Sequence, residues 1–247
     1  MKACGFDDLQ IGIAQQGLFC CPATETEADI EAAREATMER MDFDWYASVS
    51  WWSDPIILGS YPAVGIEKYG RYLPQGWQQD LSEIKGTLDF LGQNFYNSCL
   101  WSKEQGFVEA APGAPRNVSG WDVTPRGMKW VLRFLHDRYH TPILITENGM
   151  SCHDWVSLDG KVHDPNRIDF MQRYLLNVQE AMQSGVDVLG YFYWSVMDNF
   201  EWAMGYSERF GLVYVDFETQ KRTIKDSGYW YRLVIESDGK IITNEEK

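Results

Sequence analysis

Several things are scarce in this chain, and each scarcity removes a class of function. Only four histidines and five cysteines occur in 247 residues. The cysteines, Cys4, Cys20, Cys21, Cys99 and Cys152, form no Cys-x-x-Cys pair, so no zinc ribbon or finger spacing is present. Their odd number and lack of a framework predict free thiols in a reducing compartment. No apolar run reaches the ~20 residues a membrane helix needs, and the opening MKACGFDDLQ carries no apolar signal region. A cytoplasmic protein is the expectation, with no membrane partner. Basic residues are outnumbered, 22 against 36 acidic, for a net charge of −14. Such a surface repels phosphate backbones and anionic lipid, which argues against a nucleic-acid partner and disfavours a strongly anionic substrate. Internal repeats, low-complexity tracts and linkers are also absent, so residues 1–247 are read as one domain.

Aromatic residues, by contrast, are plentiful: 11 Trp, 13 Tyr and 12 Phe. They serve a core equally well as a sugar site, where flat rings pack on the C–H face of a pyranose. Four short apolar segments, Leu9–Ala14, Leu88–Gln93, Ile143–Thr146 and Val188–Trp194, read as buried parallel strands. Helical patterns lie between them. One opens at Thr26 or Glu27 and runs through Arg40. A second starts at Thr124-Pro125 and continues to about Tyr139, and a third spans Arg167–Ser184 before Gly185. Alternating strands and helices predict an α/β fold with a parallel sheet. The stretch holding Trp51, Trp52, Asp54, Pro55, Gly59, Tyr61 and Pro62 is too long for a simple crossover and reads as surface loops or an extra layer. The length of 247 residues would suit a complete (β/α)8 barrel of about 250. Four βα units, however, make only half of one.

Three segments carry candidate chemistry. In Ile143-Leu144-Ile145-Thr146-Glu147-Asn148-Gly149 an apolar strand ends in a carboxylate, and Asn-Gly then turns the chain. In a barrel that end is the catalytic mouth. From these seven residues alone, a catalytic glutamate and one that merely opens a loop stand level. The run Gly190–Trp202 places Glu201 between aromatics after another strand, where a carboxylate and rings together can hold sugar hydroxyls and a sugar face. In Asp89–Tyr96, period-2 alternation puts Asn94 and Tyr96 on one side. If that side faces the mouth, the Tyr96 hydroxyl can hydrogen-bond Glu147 and keep it ionised. A buried tyrosine satisfied elsewhere is the alternative.

These segments, ITENG, NFY and YFYWSVMDNFEW, resemble those of glycoside hydrolase family 1, the β-glucosidase family, and occur in the family's order. WSDPIILGSYP at 52–62, GWDVTPRGM at 120–128, HDPNRIDF at 163–170 and RFGLVYVDFETQKRTIKDSGYWY at 209–231 extend the resemblance over nearly the whole chain. It implies the C-terminal half, strands 5–8, of a (β/α)8 TIM barrel that hydrolyses β-glucosides with retention. By the same resemblance Glu147 is the nucleophile and Tyr96 the residue set against it. Asn94 lines the site near the acid/base. Glu201 and Trp202 bind hydroxyls of the non-reducing sugar, Trp194 floors that subsite and Phe210 walls it. The peptide between Trp194 and Ser195 is expected to be cis. Relatives that cleave 6-phospho-sugars carry a Ser–Lys–Tyr phosphate site here. Ser207-Glu208-Arg209-Phe210 lacks it, so a neutral β-glucoside or oligosaccharide is the expected substrate. No cofactor and no metal is implied, because carboxylate chemistry needs neither.

Retaining hydrolysis uses two carboxylates about 5 Å apart. The family's second carboxylate lies in an Asn-Glu-Pro motif, which this sequence does not contain; its one Asn-Glu pair, Asn244-Glu245, is followed by Glu246. Two expectations follow. Either the chain is a hydrolase component completed by an N-terminal half-barrel, or it is a catalytically inactive fragment with residual sugar binding. A half-barrel exposes strand edges and its apolar inner face, so complementation or self-association is expected.

Overall fold

The computed structural model describes residue 5 and residues 8–40 and 48–243. Strands β1 (Gly12–Gln16), β3 (Phe90–Asn94), β6 (Ile143–Asn148) and β7 (Val188–Tyr193) form a parallel sheet in the order β1-β3-β6-β7. Chain order equals spatial order within it, and each strand is followed by helical structure. A set of consecutive, parallel strands with helices packed on it is an α/β architecture. The two middle strands are paired on both edges, whereas β1 and β7 are each paired on one edge among the described residues.

All four expected strands are present with shifted ends, but the two outer ones are not buried as expected: β1 is buried only at Gln15 and β7 only at Tyr193, each being paired on one edge among the described residues. The first moves from Leu9–Ala14 to Gly12–Gln16 because the Ile11 N–H is taken by the Asp89 side chain (2.8 Å), while Gln15 pairs with the buried Gln93 of the neighbouring strand. The third runs two residues further than expected, so Glu147 lies inside β6 rather than beyond it. Asn148 does not open a turn. It is the last residue of β6, pairs with Tyr193, and is fully buried.

Helix α1 (Glu27–Met38) starts at Thr26, whose hydroxyl accepts from the Asp29 N–H, an ordinary N-cap. Helix α5 (Pro125–Tyr139) and helix α6 (Pro165–Gln183) each open on a proline, where the missing N–H costs nothing. Leu91, Ile143 and Ile145 from the sheet meet Met128, Leu132 and Leu135 of α5 and Met171 of α6 in a single core. Burying each such side chain contributes about 1.5–3 kcal/mol.

The aromatic stretch after β1 is an extra layer of short helices, α2 (Val49–Ile57), α3 (Ala63–Tyr69) and α4 (Trp77–Ile84). Trp51 stacks near Tyr61, and Tyr61 against Trp77. The layer is fixed by Asp54, which accepts from Arg138 through both oxygens (2.9 and 2.5 Å) and from the Tyr139 hydroxyl (2.8 Å). That bidentate ion pair ties α2 to the end of α5. Three further elements escaped the sequence reading. A small sheet of β2 (Cys20–Pro22), β4 (Cys99–Ser102) and β5 (Gly106–Val108) sits beside α1. A hairpin of β8 (Val213–Val215) and β9 (Arg222–Ile224) leads into α7 (Asp226–Glu236).

Candidate active site at the C-terminal strand ends

The sequence-derived residues converge on the C-terminal ends of β3, β6 and β7. Parallel pairing sets Asn94 opposite Glu147, and the Phe95 N–H donates to the Glu147 carbonyl (2.8 Å). Two residues past β3, the Tyr96 hydroxyl donates to Glu147 Oε2 at 2.6 Å. Tyr96 itself is held firmly in the phenol form, first by burial and then by the Glu147 carboxylate. Its backbone is anchored as well: the Tyr174 hydroxyl donates to the Tyr96 carbonyl (3.0 Å). Asn94 turns to a different neighbour, its carboxamide oxygen accepting from Thr146 (2.6 Å).

Asn148 is a positioning residue that the sequence reading missed. Its Nδ2 donates to the Phe95 carbonyl (2.7 Å), its Oδ1 accepts from the Tyr191 hydroxyl (2.6 Å), and its carbonyl accepts from the Trp194 N–H (2.9 Å). One buried side chain thus fixes β3, β6 and β7 at the level of Glu147. The signal in the sequence was Asn-Gly, which reads as a turn because local turn chemistry dominates when no partners are visible.

Beyond β7, the Trp194–Ser195 peptide is cis. Phe210 is buried and meets Tyr96 edge-on, with ring centroids 6.3 Å apart. Trp121 completes this wall, 5.4 Å from Tyr96 and 6.1 Å from Phe210. It was seen as part of a motif but not as a lining residue. Glu201 is half-buried in the following loop, its N–H bonded to the Gly205 carbonyl (2.7 Å). Burial raises its carboxyl pKa, the Trp194 indole opposes that, and the charges of Glu147 and Glu208 add to it. Its Oε2 is buried and has no hydrogen-bond partner among the described residues. Trp202 is different: it is 84% exposed at a φ of 43° and stands at the rim, apart from the wall. Glu208 was also overlooked. It is buried and accepts from Ser119 (3.1 Å), which is bonded in turn to Ser151 (2.8 Å).

The loop carrying Glu201 is clamped from below by a buried ion cluster. Asp198 accepts from Lys225 (2.8 Å) and Arg209 (2.6 Å) and from the N–H groups of Gly211 and Val215. Lys225 and Arg167 both reach Asp154 (2.6 and 2.7 Å), and Arg167 also pairs with Asp164. Asp164 in turn accepts from the Ser227 N–H (2.8 Å) at the start of α7. Each buried charge of this cluster therefore has an opposite partner, as burial demands.

Among the described residues no cluster of His, Cys, Asp and Glu could hold a metal ion, and no helix is long and apolar enough to cross a membrane.

A parallel α/β sheet with a hydrogen-bonded carboxylate and aromatic walls at its C-terminal end is an arrangement typical of glycosidases. The model of glycosyl hydrolase family 1 matches residues 2–240, and the chain belongs to that family. It is 41% identical over 244 residues to β-glucosidase A of Thermotoga maritima and 42% identical over 239 residues to a 1,4-β-D-glucan glucohydrolase of Thermotoga neapolitana. Each comparison takes in 94% of this chain and 52% of the relative. The chain thus spans about half the length of the curated relatives it matches. The solved structure of the Thermotoga maritima β-glucosidase in complex with glucoimidazole superposes with a TM-score of 0.80 at 41% identity, covering 94% of this chain and 52% of that one. Its complex with deoxynojirimycin gives 0.79 at 40% identity. The α/β fold therefore matches part of the family's TIM barrel.

Proposed function

We propose that residues 1–247 form a single partial domain, the C-terminal half (strands 5–8) of a family 1 barrel, and supply the nucleophile side of a retaining β-glucosidase. The observation that carries this reading is the 2.6 Å bond from Tyr96 to Glu147 at the C-terminal end of β6. In the proposed mechanism the Glu147 carboxylate attacks the anomeric carbon of a β-glucoside, and the aglycone departs to leave a covalent glycosyl-enzyme. Tyr96 holds the attacking carboxylate aimed through its hydroxyl. Water then releases the sugar with the original configuration. Trp194 and Phe210 form the apolar surfaces against the sugar ring, with Asn94 near the leaving group. Glu201, whose unpartnered Oε2 can accept from sugar hydroxyls, and Trp202 bind the non-reducing end. With Glu201 and Glu208 both acidic at this end, a 6-phosphate is repelled, so the sugar is neutral. One relative, solved both with glucoimidazole and with deoxynojirimycin, supports a glucose-like ligand.

The general acid/base comes from outside this sequence, from a complementing N-terminal half-barrel or a self-associated equivalent, since no Asn-Glu-Pro is present. A positioned acid supplies a factor of about 100–10,000. A dinitrophenyl β-glucoside, whose leaving group departs unassisted, bypasses that need. Turnover or a burst of dinitrophenolate from this chain, abolished in Glu147→Gln, is the expected outcome. Equal background rates for both proteins would sink the reading and leave an inactive fragment with residual sugar binding.

A further inference from the structure

Two thiols face one another far from Glu147. Cys20 on β2 and Cys99 on β4 are register partners in adjacent parallel strands, and their sulfurs lie 3.1 Å apart. The strands are locked beside them by the Cys99 N–H to Phe19 carbonyl bond (2.9 Å). A disulfide needs about 2.05 Å between sulfurs, so closure takes a side-chain movement of about 1 Å and no change in backbone pairing. The other free thiols among the described residues are placed differently. Cys21 is directed to the Pro22 carbonyl, and Cys152 lies on the loop after β6. Cys20, Cys21 and Cys99 all line a cavity of about 550 Å³, large enough to admit a small oxidant.

We propose that Cys20 and Cys99 form a reversible intrachain disulfide when the protein meets peroxide. Cys99 is the attacking sulfur. Cys99 is the less buried of the two sulfurs and so the one an oxidant reaches first. The hydrogen bond between the sulfurs, with the Arg40 guanidinium nearby, favours its thiolate, while that hydrogen bond and burial keep Cys20 protonated. The Cys99 thiolate attacks one peroxide oxygen, the O–O bond breaks, and hydroxide leaves and is protonated to water, giving a sulfenic acid. The Cys20 sulfur then attacks the sulfenyl sulfur. The S–O bond breaks, and the hydroxyl leaves with the Cys20 proton as a second water. Two thiols are oxidised to one disulfide and one peroxide is reduced to two waters. A dithiol reductant reverses the link by exchange. Because the bond joins positions 79 apart in sequence, it restricts the unfolded chain strongly and raises the unfolding temperature.

The test treats the full chain with hydrogen peroxide, alkylates the remaining thiols, digests without reduction and maps the cross-links by mass spectrometry. A reductant-sensitive link that persists in Cys21→Ser and Cys152→Ser, disappears in Cys20→Ser and in Cys99→Ser, and accompanies a higher melting temperature is the expected result. A link that survives Cys20→Ser would overturn the proposal. So would a mainly intermolecular dimer, or Cys99 driven to sulfinic acid while Cys20 stays alkylatable.

Discussion

Glu147 lies within a strand and Glu201 lies in a loop, and different chemistry holds the two carboxylates in place. Around Glu147 everything is short-range in space: the β3–β6 ladder, the Tyr96 hydroxyl, and Asn148 one residue on. Glu201 is held indirectly. Three residues earlier, Asp198 is gripped by Lys225 and Arg209, and those charges come from the segment between β7 and α7. The comparison shows that this chain fixes one candidate carboxylate by backbone pairing while leaving the other dependent on remote ion pairs. The second arrangement is the more fragile, since removing any one member leaves buried charges with fewer opposite partners.

The sharpest way to break this comparison is Asp198→Ala. It leaves Lys225 facing Arg209 and Arg167 with one carboxylate fewer, in a site where the lysine is fully buried. Loss of one partner of a buried pair costs about 3–5 kcal/mol. Urea denaturation followed by circular dichroism should show a loss of that size. A change below about 1 kcal/mol, typical of surface pairs, would mean that the cluster does not clamp the loop.

Gly149→Ala tests the junction of the two regions and should have a smaller effect. A methyl group there would sit 1.9 Å from the Trp194 carbonyl oxygen and 3.0 Å from its carbon, so backbone must move. Overpacking of this kind costs about 1–3 kcal/mol. Trp194 is bonded to the Asn148 carbonyl, and it is the element that should shift, ahead of Glu147. Weakened binding of a glucose-like inhibitor, with the stability loss in that range, is the expected outcome of calorimetry and denaturation together. Unchanged stability would show that the two strand ends are not in contact in solution.

Much of this could be read from the chain beforehand, for physical reasons that differ by region. Parallel strands paired within a sheet carry continuous apolar runs, so Ile143–Ile145 and Val188–Tyr193 declared themselves, although in β7 only Tyr193 is buried and Leu189 and Phe192 are exposed. Helices α1, α5 and α6 carried their own start signals, a cap at Thr26 and a first-turn proline at Pro125 and Pro165. The small sheet of β2, β4 and β5 was invisible because three- and four-residue strands have no period to detect. Helix α7 begins beside Asp164, a partner 63 residues away, and no local pattern reports that. Likewise Trp121 and Glu208 join the site only through contacts made by folding. Trp202 shows the converse: the motif marks it for sugar binding, while the fold leaves it at the solvent-exposed rim.

The wet end of the same junction supplies the smallest effect and a check on why burial matters. His163, next to the buried Asp164, bonds Asp226 at 2.6 Å and Asp159 at 3.1 Å, but all three side chains are exposed. The two carboxylates raise the His163 pKa above 6.5, Asp226 contributing most. A raised folded-state pKa means that the stabilisation is fully present below the unfolded value, about 6.5, and fades as pH rises through the folded value. His163→Gln should therefore be less stable than the parent on the acid side of neutrality and indistinguishable from it at alkaline pH, by melting temperature across that range. A deficit that instead grew with pH would show that the imidazole acts as a neutral hydrogen-bonding group. The exposed junction would then owe nothing to charge, in contrast to the buried cluster one residue away.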